Sequence, residues 1–175
     1  VIALPNVDEF RRPFIEPLGC LTLFAAQVDN LFIEIFAALN AEPETETDLD
    51  GELVSASLKL RHWDDKERET VENQIVARVS DPSLRGRLIN AVELFSALRA
   101  RRHRAIHDAV EVGYCEAGGA MALSVGYLKK GSKVRQLIDI VSPENIAELA
   151  REYSELRADL SSLEWQLERY LSEQN

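Results

Sequence analysis

Cysteine is scarce in this chain, with Cys20 and Cys115 the only two in 175 residues. They stand far apart without metal-ligand spacing, which excludes a disulfide-stapled scaffold and a thiolate metal centre. With no signal peptide in the sequence, both read as reduced thiols, Cys20 in a helix core. A long uninterrupted apolar run is also missing. The stretch 18–39 is broken by Gln27, Asp29, Asn30 and Glu34, which reads as too polar for a membrane span and leads to the expectation of a soluble, cytoplasmic chain. Positive charge is in deficit: 20 Lys and Arg stand against 30 Asp and Glu, a formal net charge of -10 with pI ≈ 4.8. Broad electrostatic adhesion to nucleic acid is thereby excluded, so any RNA contact must be local and salt-sensitive. Nor is there a G-x-S-x-G elbow, a cysteine paired with a nearby histidine, or a glycine-rich phosphate loop. Gly118-Gly119 belongs to a turn signal, and the ordinary hydrolase and nucleotide-binding classes find no support.

What the sequence has is helical periodicity. A chain of 19.7 kDa is expected to form one domain over 1–175, burying roughly 70% of its extended surface. After Pro13 and Pro17, apolar residues recur at 18, 21, 25, 28, 32, 35 and 39, the seam of a packed helix. Residues 41–51 are acidic and aperiodic, an expected exposed loop. Short helices follow over 53–62, with Leu53, Ala56, Leu60 and Trp63 turned inward, and over 67–79. Asp81-Pro82 is a start signal for a helix burying Leu84, Leu88, Ala91, Phe95 and Leu98. Ser142-Pro143-Glu144-Asn145 opens the last helix, whose apolar positions 146, 149, 153, 156, 160, 163, 167 and 170 keep a heptad seam. Between these two helices the pattern changes. Segments 109–114 and 120–128, rich in Val, Leu and Tyr, flank Glu116 to Gly119 and predict a β-hairpin, with a third strand over 134–140. The expected fold is mainly α: an antiparallel helical bundle with a small β-hairpin insertion at 109–140, the first and last long helices being partners.

The most basic stretch of the chain lies where the penultimate long helix ends. Four of the six residues from 99 to 104 are arginine (99, 101, 102, 104), the fifth is His103, and His107 follows. Arginine grips phosphate bidentately, and histidine moves protons near neutral pH. The bland alternative is a cationic helix end that complements the helix dipole and pairs with surface carboxylates. His103, His107 and Asp108 together suggest metal ligands, but no further ligand follows at useful spacing, so neither metal nor cofactor is expected.

A helical bundle, R-x-x-x-x-H at the end of the penultimate long helix, a strand-like excursion and a long closing helix together resemble the HEPN superfamily. Its usual signature is R-N-x-x-x-H, and the string here is Arg102-His103-Arg104-Ala105-Ile106-His107. His103 stands where Asn is common, Asp108 where many members have Gly, and Ala109 where some toxins have Tyr. The resemblance spans about residues 15–172. It implies a homodimer whose two copies of Arg102 and His107 face one cleft, and a metal-independent endoribonuclease, a toxin or defence component with RNA as substrate and a protein antitoxin as partner. His107 would be general base or acid, and Arg102 would hold the scissile phosphate. His103 would orient it, with Arg99 and Arg104 as auxiliary phosphate contacts. Competing readings are a non-catalytic HEPN-like module that binds RNA, a nucleotide or a protein, and a plain helical interaction protein.

Overall fold

The computed structural model describes residues 9, 11–41, 49–117, 120–128 and 137–174, and gives the backbone alone for 49–50 and for those described within 107–140. The described chain is mainly helical, with α1 (Arg12–Asn40), α2 (Leu49–Arg61), α3 (Asp65–Arg78), α4 (Pro82–His103) and α5 (Pro143–Ser172). A π-helical turn, Arg104–Asp108, closes α4. Beyond it the backbone runs through β1 (Ala109–Ala117), β2 (Ala120–Leu128) and β3 (Leu137–Val141), paired antiparallel in that order. Gly118-Gly119 and the stretch 129–136 lie outside the described residues.

Local chemistry starts these helices. The Asp64 carboxylate accepts from the backbone N–H of Lys66 and of Glu67, both at 2.9 Å, so α3 begins at Asp65, two residues before the apolar pattern announces it. Asp81 accepts from Leu84 N–H at 2.6 Å at the head of α4. At α5 the cap is reciprocal: Ser142 Oγ accepts from Asn145 N–H at 3.2 Å, and Asn145 Oδ1 accepts from Ser142 N–H at 3.0 Å, so Asn takes the usual Glu role of a capping box. The acidic segment is a shorter interruption than its composition suggests. Helix α2 is already formed at Leu49, with Glu52 near its start, where negative charge complements the helix dipole. Ala56 and Leu60 are buried as expected, but Leu53 stays exposed.

The chain divides into two compact units. Unit one comprises Val1–Leu23 and Leu98–Glu152, and unit two comprises Phe24–Ala97 and Tyr153–Asn175. In unit one the core is drawn from Phe14 and Leu21 of α1, Leu98 of α4, Ala105 of the π turn, and Ile146, Leu149 and Ala150 of α5. Cys20 is an exposed free thiol and not a core residue, because the buried stripe of α1 runs through Leu21, Ala25, Val28, Phe32, Ile35 and Leu39 and leaves position 20 beside it.

Unit two is centred on an aromatic cluster. Phe32 and Phe95 rings lie 4.3 Å apart, Trp63 stacks on Phe36 at 5.6 Å and meets Phe95 edge-on at 5.3 Å. The indole N–H of Trp63 donates to Ser96 Oγ at 3.0 Å, so the half-buried ring keeps a partner for its polar edge. Arg78 donates to the carbonyl of Ala41 at 2.7 Å, and Gln74 to Asn40 Oδ1 at 2.7 Å, tying α3 to the end of α1. Helices α1 and α5 are indeed partners here. Arg157 donates to Gln27 at 3.5 Å and lies over the Phe24 ring, while Glu164 bonds Glu34. Seven residues onward on α1 correspond to seven onward on α5, so the two run in the same direction along this stretch, against the antiparallel expectation. Short loops force antiparallel neighbours only on consecutive helices, and here three helices and the strands intervene.

Helix α1 is long and apolar enough by length and composition to cross a membrane, so its polar interruptions do not exclude a span as the sequence reading has it. Its stripe from Leu21 to Leu39 is packed into the protein.

Candidate functional site

Helix α4 keeps a buried row, Leu84, Leu88, Ala91, Phe95 and Leu98, almost to its end. Leu98 is buried, and three residues on, the last turn carries Arg101, Arg102 and His103, where cations complement the negative end of the helix dipole. Arg99 and Arg102 are half-buried; Arg101, His103 and Arg104 are exposed. Ala105 is buried at 5% exposure beside Ile106 at 41%, so the apolar side of the π turn is anchored by a small residue while its cationic side stays accessible.

The π turn bears on the spacing of the two residues singled out by sequence. Five residues make about 1.4 turns of α-helix, which sets Arg102 and His107 well out of alignment along an unbroken helix. A π turn closes its hydrogen bonds between residues five apart. The Arg104–Asp108 segment therefore brings the backbone of the pair closer to one whole turn than an α-helical continuation does. His107 lies in this segment, and its side chain falls outside the described ones.

One arginine of the cluster has a carboxylate partner that sequence reasoning missed. Arg101 Nη1 donates to Glu152 Oε2 at 2.6 Å, with 49% of the Arg101 side chain and 27% of the Glu152 side chain exposed. Glu152 sits on α5, 51 residues downstream, and no periodicity or motif links it to the cluster. One turn before it on the same helix, Glu148 is paired with Arg151.

Among the described residues no group of three or more His, Cys, Asp or Glu is placed to hold a metal ion. The acid raised furthest towards neutrality among the described residues is in unit two: burial, then the hydrogen bond and negative charge of Glu34 and the charge of Glu168, push the Glu164 carboxyl up to about 7. The acidic surplus also resides there. Counted along the sequence, unit two holds 20 Asp and Glu against 9 Lys and Arg, while unit one, which carries the arginine cluster, holds 10 against 11. Comparison with protein-family models, with curated proteins and with solved structures finds no match.

Proposed function

We propose that the end of α4 is the active site of a HEPN-like, metal-independent endoribonuclease that works as a homodimer, with the excursion at 109–140 as a β-hairpin insertion into a helical bundle. What supports this is the run of arginines on the last turn of α4 leading into a π turn that holds His107. On this reading a single-stranded RNA lays its phosphate against Arg102, with Arg99, His103 and Arg104 as further contacts. His107 takes the proton of a ribose 2′-hydroxyl. The freed oxygen attacks the adjacent phosphorus, Arg102 stabilises the charge gathering on the phosphoryl oxygens, and the 5′-oxygen leaves with a proton. The products are a 2′,3′-cyclic phosphate and a 5′-hydroxyl. A role as a cytoplasmic toxin or defence component held by a protein antitoxin would follow.

The test is cleavage of a mixed RNA pool in EDTA. Arg102→Ala and His107→Ala should each lower the rate by roughly 100- to 10,000-fold while circular dichroism and sedimentation stay unchanged. Wild-type activity in either variant excludes this mechanism. A second reading, a non-catalytic module that binds RNA, draws on the charge division between the units and needs the cations alone; RNA retention without cyclic-phosphate products would favour it.

A further inference from the structure

We infer that Glu152 is a built-in counter-ion that competes with RNA phosphate for Arg101, so that this arginine joins the substrate only when its ion pair opens. The inference rests on the phosphate-binding reading of the α4 terminus given above and adds its regulation. Arginine presents the same planar fork to carboxylate and to phosphate, so a carboxylate seated at 2.6 Å from Arg101 occupies a position an RNA phosphate could take. The pair is unequal in exposure. Arg101 keeps 49% of its side chain open to solvent, while Glu152 is the more covered partner at 27%. A polyanion can therefore approach the guanidinium without first unpacking α5. Ion pairs this open hold weakly, and the neighbouring Arg102 and Arg104 supply the field that draws the phosphate in. Glu152 then sets a threshold: it spares the protein from adventitious anions and yields to a strand that engages several arginines at once.

The experiment is binding of a short fluorescent single-stranded oligoribonucleotide, followed by anisotropy across a salt titration. Glu152→Gln keeps shape and removes the competing charge. It should tighten binding about 3- to 10-fold at low salt and steepen the log–log salt dependence by about 0.7, the increment of one added phosphate contact on a single strand. Adding Arg101→Ala to Glu152→Gln should abolish both gains. Glu148→Gln makes the same change in net charge one turn earlier on α5 but leaves the Arg101–Glu152 pair intact, and should leave the slope at the wild-type value. Glu152→Ala, which deletes the acceptor as well as the charge, should behave as Glu152→Gln. Equal slopes for the Glu152 and Glu148 variants overturn the inference, as does a gain that survives loss of Arg101. If those results accompany RNA cleavage that depends on Arg102, the endoribonuclease reading stands and Glu152 is merely structural. RNA binding by none of the variants overturns the inference as well, and the cleavage assay then decides the reading beneath it.

Discussion

Glu164 and Glu34 share a hydrogen bond that only a protonated carboxyl can donate, and the strain of that arrangement depends on pH. Glu164 is raised from 4.5 to about 7, with burial as the first cause. The folded chain therefore binds this proton more tightly than the unfolded one. Stability from this group is complete below about pH 4.5, falls as pH rises towards 7, and stays at its lower level above. Screening at a partly exposed site trims the effect to about 1 kcal/mol. Glu164→Gln, which supplies a permanent neutral donor, should raise the melting temperature by about 2–4 °C at pH 8 and leave it unchanged at pH 4, as differential scanning calorimetry at the two pH values would show. Partnerships of this kind are hidden from a one-dimensional reading. Glu34 and Glu164 are 130 residues apart, as remote from each other's local pattern as Arg101 is from Glu152, and nothing in either neighbourhood marks them. Arg102, His103 and Arg104, by contrast, announce themselves by adjacency.

Element boundaries follow from side chains that compete for backbone hydrogen bonds, and there the sequence is readable wherever the capping residue is next to a proline. Asp81-Pro82 and Ser142-Pro143 each mark a helix start that the structure bears out. Asp64 caps α3 just as firmly, but without a proline after it the signal is lost among neighbouring acids. The apolar seams of α1 and α5 are legible for a different reason: their buried positions recur over 29 and 30 residues, long enough for period to outweigh composition. The reciprocal cap of α5 gives a direct check at this scale. Asn145→Ala removes the acceptor for Ser142 N–H and should cost about 1 kcal/mol, a fall of about 2–4 °C in melting temperature. Asn145→Gln, too long for the same return bond, should be no better. The π turn is the one element with no sequence cue. Helix period continues through Ala105 and Ile106, so the residues give no notice of the change to π-helical bonding at 104–108.

At the scale of the whole molecule, charge is distributed by unit, not evenly. The surplus of acids in unit two, 20 against 9 bases, repels itself at low ionic strength, and added salt shortens the reach of that repulsion from about 30 Å at 0.01 M to about 8 Å at 0.15 M. The melting temperature should accordingly rise with sodium chloride between these concentrations, whereas RNA binding at the arginine cluster should weaken over the same range. Opposite responses to one variable, read by calorimetry and by anisotropy, would separate the two halves of the charge pattern. Net charge taken over the full chain conceals this division, because a value of -10 averages a nearly neutral unit with a strongly acidic one.

The division of the chain also has a consequence for synthesis. Each unit is assembled from an early and a late segment: unit one needs residues 98–152 to complete what 1–23 begins, and unit two needs 153–175 to complete 24–97. Domains commonly fold in order as they leave the ribosome, but here neither unit has all its parts until α5 has emerged. Until then the stripe from Ala25 to Leu39 lacks the buried Leu156, Leu160, Leu163 and Leu167 of the same unit. The nascent chain can seat Phe32 against Phe95 and Phe36 against Trp63 while the α5 side of the same core is still missing, so a half-covered apolar face persists until α5 is made, a natural client for a holding chaperone at the tunnel exit.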